Sequence, residues 1–290
     1  MKNVCVITGG GSGMGLAAAK NMPKDKIIII AGRTEAKLEK GVKELTKLGF
    51  EAYAKRCDTS KRKSVRALAE YAKSVGEVKN VINCAGLSPS MADPEKIVRV
   101  NALGTVYVNQ EFAEVMKKGS VIIDVSSNSA YILPGFLINK RTYSLADSNE
   151  ELFVKKILKL GLLLSDKYKS AGLAYSYSKN FTVWYAGKSA FEFGAKGIRV
   201  ASISPGLVAT DMGNLEETKD GGSLIKYTAE KRMGMPEELG YAIATLADER
   251  NGYLTGVDVL CDGGSVKGRK EFKIKRKCLF SAIPLHALLS

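Results

Sequence analysis

The chain predicts an α/β fold, a single doubly wound parallel sheet of about seven strands with helices on both faces. Three observations carry this expectation. Strand-length apolar runs alternate with helix-length amphipathic segments seven times along the chain. One run holds four consecutive isoleucines, Ile27 to Ile30, the composition of a strand buried on both faces of a parallel sheet. A glycine-rich turn joins the first strand to the first helix, which is how such sheets seat an anion against a helix N-terminus.

The elements follow in order. Residues 3–7 form the first strand, 8–15 the glycine turn and 16–21 a helix. Residues 26–31 are the isoleucine strand, and 34–48 an amphipathic helix with Thr34 as N-cap and Gly49 as its stop. A strand at 52–56, a helix at 60–75 and a strand at 80–83 come next, then a long helix over 95–116 and a buried strand at 120–125. The last elements are a helix at 172–194, a strand at 198–204, a helix at 236–248 and a strand at 257–261.

Two stretches break the alternation. Residues 133–171 form a helical insertion before the helix at 172–194. In it Ser148 and Glu151 match a capping box, and Leu152, Phe153, Ile157, Leu160 and Leu164 share one helical face. Packing on the core or a subunit interface fits that stripe, and so does a flap over a substrate. The tail, 265–290, is basic and then apolar; disorder and docking on a partner are both open. No linker-like stretch divides the rest, so one domain is expected over 1–264.

Composition narrows the function. The net charge is +14, but the lysines and arginines recur at helical spacing, as in Lys37, Lys40, Lys43 and Lys47, the pattern of a solvated face. No nucleic-acid motif or interleaved aromatic accompanies them, so no nucleic-acid partner is expected. A basic surface would equally attract a dinucleotide or an acidic substrate. The five cysteines are scattered, with no C-x-x-C pair, which reads as reduced thiols in a cytoplasmic protein. The N-terminus runs straight into a strand, and no apolar run reaches the roughly 20 residues of a membrane span. The only histidine is His286, which excludes a Ser-His-Asp hydrolase and a His-rich metal site unless the tail folds back. No metal is expected.

The turn Thr8-Gly9-Gly10-Gly11-Ser12-Gly13-Met14-Gly15 lets the backbone approach a pyrophosphate at the start of a helix. The second strand ends Ala31-Gly32-Arg33-Thr34. Gly32 removes the carboxylate that would bind the ribose hydroxyls of NAD, and Arg33 can pair with the 2′-phosphate of NADP. NADP is the expected cofactor, with NAD possible.

Together these residues resemble the short-chain dehydrogenase/reductase family, a Rossmann-type fold. The T-G-x-x-x-G-x-G turn is matched by Thr8, Gly9, Gly13 and Gly15, the adenine-side acid by Asp58, and N-N-A-G by Asn83-Cys84-Ala85-Gly86. Asn101, Ser127, Tyr175 with Lys179, Pro205-Gly206 and Thr210 complete the pattern in order over residues 1–264. The resemblance implies Asn101, Ser127, Tyr175 and Lys179 as catalytic. It implies a cofactor held by Thr8, Gly9, Gly11, Ser12, Gly13, Met14, Gly15, Arg33, Asp58, Thr59, Asn83, Ala85 and Gly86. Tyr175, Lys179, Pro205, Gly206, Val208 and Thr210 would complete that contact set. A second Y-x-x-x-K, Tyr227 with Lys231, has no serine partner at a strand end and reads as surface; Tyr177 is followed four residues later by Phe181.

A free tyrosine titrates near about 10, too high for a base at neutral pH. The Lys179 ammonium and the cationic nicotinamide ring are expected to lower that value. Tyr175 then takes the alcohol proton or returns it to the alkoxide, with Ser127 holding the oxygen. The resemblance adds that Lys179 holds the nicotinamide ribose and Asn101 anchors a water leading to it. Ser127 and Tyr175 lie 48 positions apart. With Leu87-Ser88-Pro89, this resembles the bacterial 3α-hydroxysteroid dehydrogenase/carbonyl reductase branch. The branch implies a small apolar ketone or alcohol substrate, bulky and hydroxysteroid-like. It also implies a homo-oligomer, dimer or tetramer, whose contact avoids the insertion. A 3-oxoacyl-thioester reductase and a non-catalytic NADP-sensing protein are the alternative readings.

Overall fold

The structure, a computed structural model, describes residues 2–159, 161, 164–218 and 221–271. Seven parallel strands lie in the order β3-β2-β1-β4-β5-β6-β7. These are β1 (Asn3–Thr8), β2 (Ile27–Gly32), β3 (Glu51–Arg56), β4 (Glu77–Asn83), β5 (Val121–Val125), β6 (Arg199–Pro205) and β7 (Asp258–Cys261). The isoleucine run behaves as its composition demands: Ile27 and Ile29 enter one core cluster, Ile28 and Ile30 the other, and none is more than 4% exposed. Successive side chains on a strand point to opposite faces, so a strand with helices on both sides must be apolar throughout. One face is covered by α1 (Gly13–Lys20), α2 (Glu35–Lys47) and α10 (Pro236–Leu246). The other is covered by α3 (Arg62–Val75), α5 (Gly104–Ala113) and α8 (Lys167–Gly194). The chain reverses its winding between β1 and β4, which opens a crevice at the C-terminal ends of those strands.

Three elements differ from the sequence reading. The long helix expected over 95–116 is α4 (Pro94–Val98), a π turn at Arg99–Leu103, and then α5. The wider turn spoils the regular i→i−4 ladder, and the Asn101 carbonyl accepts the Thr105 hydroxyl at 2.8 Å. Periodicity hides such a turn, because one extra residue shifts the apolar stripe only slightly.

The insertion forms two helices, α6 (Lys140–Ser148) and α7 (Glu150–Leu158). Asn149 separates them and caps the second, its Oδ1 accepting the Leu152 N–H at 3.0 Å. The expected capping box is therefore displaced: Ser148 ends α6, and Glu151 pairs instead with Arg99. The helices pack rather than flap. Tyr143, Phe153, Val154 and Ile157 are buried against Phe181 and Tyr185 of α8, and Asp147 accepts the Tyr185 hydroxyl at 2.8 Å. Leu164 is 40% exposed and does not extend the buried stripe; Leu160 lies outside the described residues.

Helix α8 starts five residues before the expected position, because Asp166 caps it by accepting from the Tyr168 and Lys169 N–H groups. Residues 265–271 of the tail are helical; His286 and Cys278 lie outside the described residues. Among those residues, no helix is long and apolar enough to cross a membrane.

Candidate active site

A cleft of about 500 Å³ occupies the crevice over β1, β2 and β4. Its floor is the glycine turn. Gly9 and Gly13 hold φ of +66° and +54°, and a Cβ on Gly15 would sit 2.5 Å from the Gly9 carbonyl, so no larger residue fits there. Ser12 takes the N-cap position of α1 without spending its hydroxyl on the cap, which leaves that hydroxyl and the first N–H groups of the helix to a ligand. The Thr8 hydroxyl accepts from Ala85 N–H at 3.2 Å and donates to Asn83 Oδ1 at 2.8 Å, tying the turn to the end of β4.

At the other end of the cleft, Arg33 is exposed and makes no hydrogen bond or ion pair with the described residues. Asp58 accepts from Ser60 through both the backbone N–H and the hydroxyl, which fixes its carboxylate at the cleft wall beside Thr59. Lys37 reaches across to Asp211, the first residue of α9 (Asp211–Glu217), at 3.1 Å.

A second group of side chains gathers where Gly86 lines the cleft. A Cβ on Gly86 would lie 3.4 Å from Asn101 Oδ1 and 3.5 Å from Lys179 Nζ. Asn101 is 2% exposed; it accepts from Leu87 N–H at 2.8 Å and donates to the Leu87 carbonyl and the Ser178 hydroxyl. Lys179 donates to the Val125 carbonyl at 2.9 Å and stands 5.9 Å from the centre of the Tyr175 ring. Burial brings the Lys179 ammonium down to about 8, against the pull of Cys84 and Asp124. Ser127, just past β5, caps a short turn by accepting from Ser129 N–H at 3.2 Å.

The Tyr175 phenol is held above its ordinary value by burial; hydrogen bonding with Ser127 pulls it back, and the charge of Glu216 adds to the rise. This corrects one expectation. Lys179 is spent on a backbone carbonyl, so burial rather than the ammonium dominates Tyr175 in the protein alone. Behind the group, Asp124 accepts from Asn83 at 3.0 Å and Asn109 at 2.9 Å, and burial raises its carboxyl to about 6.

The short chain dehydrogenase family matches residues 3–137, and a second family described as Enoyl-(Acyl carrier protein) reductase matches 150–266. The chain is 30% identical over 273 residues to the Uncharacterized oxidoreductase UxuB of Bacillus subtilis, covering 89% of this chain and 93% of that one. The chain belongs to the short-chain dehydrogenase/reductase family. It is accordingly an oxidoreductase of hydroxyl and keto groups, from a family that binds a nicotinamide cofactor. An Acetoacetyl-CoA reductase of Cupriavidus necator is 25% identical over 91% of this chain and 98% of its own. The 7alpha-hydroxysteroid dehydrogenase of Escherichia coli is 24% identical over 90% and 93%. A short-chain type dehydrogenase/reductase from Mycobacterium ulcerans superposes with a TM-score of 0.71 at 24% identity, covering 91% of this chain and 90% of that one.

The short-chain dehydrogenase/reductase motif residues divide into those on the cleft and those beneath it. Thr8, Gly9, Gly11, Ser12, Gly13, Met14, Gly15, Arg33, Asp58, Thr59, Ala85, Gly86 and Thr210 line it. Asn83 does not: its side chain is spent on Thr8 and Asp124 and is 4% exposed. Gly206 lies against Asp262, where a Cβ would be 2.9 Å from that backbone, and Pro205 ends β6 inside the sheet. Val208 is 4% exposed and its carbonyl accepts the Thr210 N–H.

Tyr175 and Lys179 stand beyond Gly86 rather than on the cleft wall. The decoys stay apart. Tyr177 donates to the Leu137 carbonyl, and Lys231, at φ +56°, reaches back to the Lys226 and Thr228 carbonyls. Lys37, Val100 and Asp211 were not legible as lining residues, because only the fold brings α2, the π turn and α9 to the same crevice.

Proposed function

We propose that this short-chain dehydrogenase/reductase is an NADP(H)-dependent enzyme that interconverts a secondary alcohol and a ketone, with a bulky apolar, hydroxysteroid-like substrate. The observation that carries the reading is the convergence of Ser127, Tyr175, Lys179 and Asn101 beside Gly86, at the end of a cleft whose other end presents an unpaired Arg33.

The residues present suit a dinucleotide. The spare Ser12 hydroxyl and helix N-terminus suit its pyrophosphate, Asp58 its adenine end, and Arg33 a 2′-phosphate. Bound there, the nicotinamide supplies the hydride acceptor or donor. Tyr175 is a phenol at neutral pH in this environment and so stands ready to protonate an alkoxide oxygen. Ser127 holds that oxygen by a hydrogen bond, and Lys179, with its ammonium at about 8, supplies positive charge next to the phenol.

Next to Tyr175, Leu87, Ile97, Val100 and Ala171 form an apolar wall. This favours an uncharged hydrocarbon skeleton, in keeping with the hydroxysteroid dehydrogenase among the relatives. The acetoacetyl-CoA reductase supports a 3-oxoacyl-thioester as the second reading. In this proposal the enzyme works in the cytoplasm as a homo-oligomer. Helices α6 and α7 bond to α5 through Gln110–Asp147 and Tyr107–Glu150 and to α8 through Tyr185–Asp147, and in this proposal subunits meet elsewhere.

Two measurements test the reading. Following NADPH and NADH oxidation with 3-, 7-, 12- and 17-ketosteroids, acetoacetyl thioesters and small quinones should give turnover on a ketosteroid. Activity confined to thioesters would transfer the proposal to the second reading. Replacing Arg33 with serine should weaken NADPH about tenfold or more, since a charge-assisted hydrogen bond contributes roughly 1.5–3 kcal/mol, while NADH binding stays within about twofold. Equal losses for the two cofactors would remove Arg33 from the 2′-phosphate.

A further inference from the structure

Beyond the expected four residues, the charge of one more side chain reaches Tyr175. Glu216, on the last turn of α9, is half-buried. Its Oε1 accepts the Ser90 backbone N–H at 3.0 Å and its Oε2 accepts the Tyr168 hydroxyl at 2.9 Å. Ser90 lies on the loop after β4, and Tyr168 on the first turn of α8. One carboxylate therefore ties together the three segments that surround the phenol.

The position follows from helix geometry. Tyr168, Tyr175 and Lys179 are seven and four residues apart, so they share one face of α8. Tyr168 leads Glu216 to the N-terminal end of that stripe, while Lys179 occupies the C-terminal end. The phenol thus stands between an anion and a cation. The other groups around it do not disturb this pairing. Ser127 is uncharged, residues 84–92 carry no charge, and Arg99 of the π turn is committed to Glu95 and Glu151. Asp124 and Cys84 act on Lys179 from behind.

We infer that Glu216 is a positioning and specificity residue of this site. It holds α9 against Ser90 and Tyr168 near Tyr175, and its charge admits uncharged alcohols and ketones while repelling substrates with a carboxylate one methylene from the reacting carbon. The inference rests on the proposed alcohol–ketone chemistry. In that chemistry the phenolate form of Tyr175, which becomes available as pH rises, would take the alcohol proton, and a bound oxidised nicotinamide would supply the hydride acceptor. Tyr175 is harder to deprotonate beside an anion, so removing the charge should ease the proton transfer.

The experiment is alcohol oxidation by wild type, Glu216→Gln and Tyr168→Phe across pH. The paired probes are ethyl 3-hydroxy-3-phenylpropanoate and its free acid, which differ by one charge. Wild type should prefer the ester in kcat/KM by about tenfold or more. In Glu216→Gln, that preference should shrink at least several-fold, and the rise of rate with pH should move to lower pH by roughly half a unit or more. Tyr168→Phe keeps the charge, so it should raise KM and leave both the pH limb and the preference in place. A wild type that treats ester and acid alike overturns the inference without any variant. So does a cofactor-binding Glu216→Gln with an unmoved limb and unchanged preference. A wild type inert towards every alcohol and ketone, with both cofactors, overturns the proposed chemistry itself, a separate outcome.

Discussion

Replacing Tyr175 with phenylalanine is expected to lower kcat/KM for ketone reduction by about 10²–10⁴, the usual contribution of a positioned general acid. The change removes one hydroxyl and keeps the ring, which packs against the Leu87, Ile97, Val100 and Ala171 wall. Folding and cofactor affinity should therefore survive: a melting temperature within about 2 °C, and NADPH titrated by fluorescence with a Kd within about twofold. Turnover close to wild type would sink the assignment of Tyr175 as the proton donor. Among the described residues, the two groups beside it are poor substitutes. Ser127 lacks a useful acidity, the Lys179 ammonium is engaged with the Val125 carbonyl, and His286 lies outside the described residues.

Replacing Phe181 with alanine is expected to cost about 3–5 kcal/mol of stability, which for a chain of this size lowers Tm on the order of 10 °C. Phe181 is fully buried. Its ring centre lies 5.3 Å from Tyr143, 4.9 Å from Phe153, 5.7 Å from Trp184 and 5.4 Å from Tyr185. It is the point where both insertion helices meet α8, and deleting it leaves a cavity that three aromatic-bearing helices cannot all close. Thermal and urea unfolding would check this. A loss under about 1 kcal/mol would mean that α6 and α7 are not part of the packed core. Since Lys179 sits two residues away on the same helix, activity should fall with stability near the transition and recover at lower temperature.

Much of this site was legible because its chemistry is written in short local patterns. The glycine turn needs positive φ at Gly9 and Gly13 and contact at Gly15, and such demands exclude nearly every other residue. Tyr175 and Lys179 share a helix face by spacing alone. The departures from the sequence reading have physical causes too. The Asn83 side chain stays beneath the cleft because its amide satisfies the Thr8 hydroxyl and the buried Asp124, a demand visible only once β1, β4 and β5 are side by side. Ser148 and Asn149 are both good caps. The choice fell on Asn149 because α6 must end before α7 can turn back onto α8.

By itself, the sequence determined the order of strands and helices, the burial of Ile27–Ile30 on both faces, the glycine turn at the head of α1 and the candidate set of Ser127, Tyr175 and Lys179. These are properties of periodicity and of residues that allow few alternatives. Only the tertiary structure decided that α6 and α7 pack on α8, that Asn101 sits on a π turn, and that Glu216 from α9 ties Ser90 to Tyr168. Each of these depends on segments distant in the chain competing for one place. Local propensity is a few tenths of a kcal/mol per residue, whereas burying an aromatic side chain or satisfying a buried carboxylate is worth several times that. Where the two disagree, the packed arrangement wins.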